Sequence, residues 1–90
     1  MSPAGPAFLA AFDRLPRGTF AARFAGRRWV ATRRAFAQGR AEKLVAEAVG
    51  GPARVSMNLY RLRRGARLAP CEMPEAEARA FVLGAEPEPQ

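Results

Sequence analysis

Glycines divide the middle of this chain into runs that alternate apolar and polar residues, and this pattern restricts the fold more than any other feature. Phe20, Ala22 and Phe24 alternate with Ala21 and Arg23 before Gly26, and the run from Trp29 to Phe36 returns after it. Val55, Met57 and Leu59 alternate with Ser56, Asn58 and Tyr60 before Gly65, and Leu68 follows. A period of two belongs to a strand with one face buried. A glycine that can take positive φ supplies the tight return. Two β-hairpins are therefore expected, one over Gly18–Ala37 and one from Arg54 to about Pro70, whose missing N–H ends the strand or places it at an edge.

The registers are less constrained, because a one-residue slip inverts every side chain. A two-residue turn around Gly26 pools Phe20, Ala22 and Phe24 with Trp29 and Ala31, whereas a three-residue loop turns Val30 and Thr32 inward. The first is favoured because it gathers the large aromatics. In the second hairpin Arg63-Arg64-Gly65 reads as a three-residue loop with Gly65 left-handed. That register pairs Met57 with Cys71 and places Cys71 on the core face.

Three helices are expected around these hairpins. Pro6 suits a first helical position, and Phe8, Leu9, Phe12 and Leu15 follow at helical spacing until Pro16 and Gly18. Ala41, Leu44, Val45, Ala48 and Val49 fall at i, i+3, i+4, i+7 and i+8, which predicts an amphipathic helix over Arg40–Val49 capped by Gly50. Pro74 opens a last helix with Glu75 and Glu77 in its first turn, Ala78, Phe81 and Val82 inward and Gly84 as cap. The predicted order is α-β-β-α-β-β-α. It implies an α+β fold of two layers, a four-stranded, mainly antiparallel sheet with helices on one face and a polar, arginine-rich opposite face. At 90 residues the chain forms one domain. It is expected over residues 1–84, frayed from Met1 to Gly5 and followed at 85–90 by a disordered, acidic Pro/Glu tail.

Several functions are excluded or weakened by what the chain lacks. It has no histidine and one cysteine, Cys71. Triads, Cys-His dyads and histidine metal sites are therefore ruled out, and a structural zinc site cannot be built. Neither a phosphate-binding G-x-x-x-x-G-K-[ST] loop nor G-x-G-x-x-G occurs. No cofactor or metal is expected. A single cysteine fits a reducing compartment, no apolar run approaches the length of a membrane span and no secretory signal opens the chain, so a cytoplasmic location is expected.

Two candidate sites remain. Net charge is +7, and Lys43 is the only lysine among 15 basic residues. The stretch from Arg14 to Arg67 holds all of these but Arg79 and only two acids, Glu42 and Glu47, while the C-terminal part is acidic. Arg23, Arg27, Arg28, Arg33 and Arg34 surround the first hairpin with Trp29; Arg61, Arg63, Arg64 and Arg67 surround the second with Tyr60. Guanidinium groups take phosphates bidentately and aromatic rings stack on unpaired bases. This surface therefore points to a non-enzymatic binding domain whose partner is RNA, a single strand or an acidic protein. The chain itself is expected to be a monomer or weak homodimer. The alternative uses Cys71 as a nucleophile in thiol redox chemistry, three residues before the helix-opening Pro74.

Gly26-Arg27-Arg28-Trp29 with Thr32-Arg33, and Asn58-Leu59-Tyr60-Arg61-Leu62 with Leu68 and Pro70-Cys71-Glu72-Met73-Pro74, together resemble short bacterial proteins of about this length that have no established activity. The likeness covers nearly the whole chain and implies no catalytic residue. A looser likeness to peptide methionine sulfoxide reductases would imply the thiol chemistry. The Gly-Cys-Phe-Trp nucleophile motif of that family is absent, however, and there is no second cysteine to resolve an intermediate.

Overall fold

The computed structural model describes residues 1–89. The chain runs β1 (Ser2–Pro3), α1 (Pro6–Arg14), β2 (Gly18–Phe24), β3 (Arg27–Phe36), β4 (Ala41–Ala48), β5 (Arg54–Leu62), β6 (Gly65–Pro70), α2 (Glu75–Gly84) and β7 (Glu86–Pro87), with one 3-10 turn at Ala37–Gly39. All strands join one antiparallel sheet in the order β1-β6-β5-β4-β3-β2-β7. β2 to β6 form a meander, and the chain's two ends add a short strand to each outer edge.

This corrects the expected four-stranded α-β-β-α-β-β-α arrangement. The segment predicted as the central helix is β4, the middle strand of the sheet, paired with β3 on one side and β5 on the other. Its inward residues are Glu42, Leu44, Ala46 and Ala48. A carboxylate at the first of these positions masks the period of two, while Ala41, Val45 and Val49, on or beyond the outward side, complete a false helical stripe. Ladder bonds from two neighbouring strands then outweigh the weak helix preference of so short a segment.

The first hairpin has the favoured two-residue turn, with Ala22 opposite Trp29 and Phe20 opposite Ala31. Gly26 holds φ +75 in that turn. The second hairpin differs from expectation by one residue. Leu62 pairs with Gly65, so Gly65 opens β6 rather than closing the loop, and Met57 lies opposite Pro70 instead of Cys71.

α1 and α2 lie side by side and cover one face of the sheet. The core between them is built from Phe8, Phe12 and Leu15 of the α1 segment, Phe81 and Val82 of α2, and Leu44, Met57, Leu59 and Leu68 of the sheet. Burying each large side chain completely contributes about 1.5–3 kcal/mol. At one end Trp29 and Phe81 sit with ring centroids 5.1 Å apart and Phe24 lies 5.3 Å from Phe81, the tilted and edge-on geometry that aromatic quadrupoles favour. Gly84 does not cap α2 in the left-handed region. A Cβ there would stand 3.0 Å from the Phe24 ring, so close packing is what requires glycine.

The segment before α1 is pinned rather than frayed. β1 pairs with β6, Arg79 of α2 donates to the carbonyls of Pro3 and Ala4, and the Ser2 hydroxyl donates to Glu75. Residues 86–88, placed by sequence in a solvated tail, lie along the outer edge of β2, where the Glu88 N–H donates to the Ala21 carbonyl at 2.9 Å.

Candidate nucleic-acid interface

Among the described residues no helix covers the second face of the sheet. Strand register fixes which side chains occupy it. One cross-strand row reads Phe36, Ala41, Tyr60, Arg67. The next reads Arg34, Lys43, Asn58, Ala69. Thr32, Val45 and Ser56 follow, then Val30, Glu47 and Arg54, and finally Arg28 with Arg23. Phe36 and Tyr60 flank the small Ala41 two strands apart, a separation of roughly 10 Å. Phe36 is 45% exposed, and the Tyr60 hydroxyl receives a hydrogen bond from the Asn58 amide at 3.1 Å.

Charge is distributed unevenly over this face. The end with the two rings carries Arg34, Lys43 and Arg67, and the turns bordering it carry Arg40, Arg63 and Arg64. By register none of the eight acidic residues falls on the open face at this end. At the other end Arg54 lies 3.9 Å from Glu47, and Arg28 grips Glu88 through Nε and Nη2 at 2.8 and 3.2 Å. Its basic side chains are therefore matched by acids.

The residues expected to form a basic surface are divided among three places. Arg23, Arg28, Arg34, Tyr60 and Arg67 lie on the open face. Trp29, Arg33 and Arg61 lie on the helix-covered face, and Trp29 is a core residue whose indole N–H donates to the Phe24 carbonyl. Arg27 donates to the Val49 and Gly51 carbonyls and so ties down the loop after β4. The two arginine-bearing turns sit at opposite ends of the strands, because successive turns of a meander alternate ends. Arg63 and Arg64 share their end with Phe36 and Lys43, whereas Arg27 is at the other. Phe36, Arg40 and Lys43 were not picked out from sequence. Lys43 stands between Arg34 and Asn58 on this face only because β4 is a strand, and Phe36 pairs with Ala41 only through that same strand.

Arg33 and Arg61 serve a different structure. Arg33 and Glu42 are 4% and 2% exposed and form a two-pronged pair, Nε to Oε1 at 2.7 Å and Nη2 to Oε2 at 3.2 Å. Arg33 Nη1 also donates to the Phe12 and Leu15 carbonyls at the end of α1, and its guanidinium lies 4.7 Å from the Phe12 ring centroid. Arg61 donates to Glu42 Oε2 and to Asp13. Burial pushes the Glu42 carboxyl up, but hydrogen bonds and charge from Arg33 and Arg61 outweigh it and hold the group below the usual carboxylate range. The cluster joins α1 to three strands and is fully occupied.

Cys71 is half-buried, not a core residue. Its N–H donates to the Ser56 carbonyl, and the side chain borders a cavity of about 130 Å³ with Arg54, Ser56 and Met73. The one-residue change in register moves it out of the core. Among the described residues no three Cys, Asp or Glu side chains group as metal ligands, and no helix is long and apolar enough to cross a membrane. No protein-family model, curated protein or solved structure matches the chain.

Proposed function

We propose that the protein is a small, non-enzymatic, cytoplasmic binding domain that takes single-stranded nucleic acid on the aromatic end of its open sheet face. The observation that carries this is the coincidence of Phe36 and Tyr60 with Arg34, Lys43 and Arg67 on a face that no helix covers, with no carboxylate beside them. Two rings separated by an alanine offer stacking positions for unpaired bases, each worth about 1–3 kcal/mol. The cations follow the backbone phosphates. Their fixed places on strands mean that little order has to be imposed on binding.

Fluorescence anisotropy with labelled oligo-U or oligo-dT tests this. Three to six phosphate contacts give a log–log salt slope of about −2 to −4, a loss of roughly one to two and a half decades between 50 and 200 mM salt. Phe36→Ala and Tyr60→Ala should each weaken binding by about five- to 150-fold without loss of fold, while Tyr60→Phe retains most of it. Failure to bind any single strand at 50 mM salt, or equal binding by Phe36→Ala/Tyr60→Ala and the parent chain, would refute the reading. Cys71→Ser should leave binding unchanged. A loss there would favour the thiol-dependent alternative.

A further inference from the structure

The C-terminal residues 86–89, Glu-Pro-Glu-Pro, are laid on the same face by a specific geometry. Glu86 stands directly opposite Arg23 in the β2–β7 ladder. Two residues on, Glu88 returns to the same side of the extended chain, anchored by its N–H on Ala21. Its carboxylate accepts both hydrogen bonds of the Arg28 fork, and these, followed by the charge of Arg28 and Arg23, hold it below its ordinary range. The tail thus presents two anions in sequence along an extended backbone to two arginines of the open face. A single strand offers its phosphates in the same way. Without the tail, Arg23 and Arg28 would offer a second basic patch at the other end of β3, about 27 Å from Phe36 and beyond the rows that hold Thr32 and the Glu47–Arg54 pair.

We infer that the acidic tail is an internal competitor for the polyanion, confining short strands to the aromatic end of the face and yielding Arg23 and Arg28 to a strand long enough to span it. This inference rests on the proposed nucleic-acid reading and adds a regulation to that site. It makes the domain length-selective. A short ligand sees only the cations near Phe36 and Tyr60, whereas a long one exchanges the tail's carboxylates for its own phosphates. No covalent bond is made or broken; the two arginines exchange the tail's carboxylates for phosphates, and the tail leaves the edge of β2.

The test compares the parent chain with Glu86→Gln/Glu88→Gln, which keeps the backbone pairing, using oligo-dT of about 4 and about 16 nucleotides, the range of site sizes usual for small single-strand-binding domains. The variant should bind the longer strand about three- to tenfold more tightly, since exposed ion pairs of this kind compete weakly. It should bind the shorter strand equally well. Glu77→Gln removes a negative charge from the exposed side of α2, away from the open face, and should leave both affinities as they are. By amide NMR, adding the longer strand to the parent chain should remove the exchange protection of the Glu88 N–H, while the shorter strand leaves it in place. If the shorter strand binds but the longer one is insensitive to the double variant and Glu88 stays protected, the tail inference is overturned alone. If the shorter strand does not bind the parent chain, the reading of the face falls and the inference with it.

Discussion

Replacing Glu42 by leucine should be among the most destabilising single changes in this protein. The carboxylate is 2% exposed and accepts from Arg33 and Arg61, with distances of 2.7 Å from Arg33 Nε and 2.7 Å from Arg61 Nη2. Its loss leaves the guanidinium of Arg33, itself 4% exposed, with the Phe12 and Leu15 carbonyls and the half-exposed Asp13 carboxylate 3.6 Å away in place of its close two-pronged partner. Removing one member of a buried pair costs about 3–5 kcal/mol. A domain of this size has on the order of 5–13 kcal/mol in all. At a urea m-value of about 2 kcal/mol/M the midpoint should fall by roughly 2 M. Arg61 suffers less, because it is one-third exposed and keeps Asp13. Arg33→Met/Glu42→Leu removes both buried charges and should recover at least about 2 kcal/mol relative to Glu42→Leu alone, some loss remaining because the α1 carbonyls keep no donor. Urea melts of the parent, both single variants and the double variant complete a mutant cycle. A cost below about 1 kcal/mol for Glu42→Leu, or a double variant equal to the sum of the singles, would refute the buried-charge reasoning.

The same carboxylate sets an acid limit. Its folded-state pKa is depressed below 4.5, so its contribution is whole above that value and lost as pH falls through the folded pKa; melts from pH 7 to pH 3 should lose less stability at the acid end in Arg33→Met/Glu42→Leu than in the parent. Leu44→Ala, at a wholly buried position of the middle strand, should cost about 2–5 kcal/mol in the same melts. Gly26→Ala should cost on the order of 1 kcal/mol from the backbone alone, since an added Cβ meets nothing while φ is +75. Cys71 should react with an alkylating reagent in the native state, as its half-buried side chain borders an open cavity; labelling only on unfolding, followed by mass spectrometry, would contradict its placement.

The elements most readable from sequence were those whose period and turn chemistry agreed. The first hairpin has both an aromatic face and a two-residue glycine turn, and its register followed from pooling Phe20, Phe24 and Trp29. α1 and α2 were marked by Pro6 and Pro74. The second hairpin slipped by one residue because Gly65 suits a loop position and a strand start equally well, and the flanking residues do not distinguish them. β4 was misread for a stronger reason. Glu42 is inward and its outward neighbours include valine, so polarity there reports ion pairing with Arg33 and Arg61, not exposure. The candidate site inherited that error. Arg33 and Arg61 were counted as surface cations when they are internal, and Lys43 and Phe36 became neighbours of Tyr60 only once β4 stood between β3 and β5.

The two shortest strands have a consequence for handling the protein. β1 and β7 form opposite edges of the sheet with two residues each, so Ser2–Pro3 and Glu86–Pro87 stand as far apart as the sheet is wide. A free edge offers N–H and C=O groups to any other extended chain, and removing β1 and β7 would replace two-residue edges by the longer edges of β6 and β2 on one small molecule. The shortened protein should keep its core yet stack edge to edge into soluble strings and then precipitate.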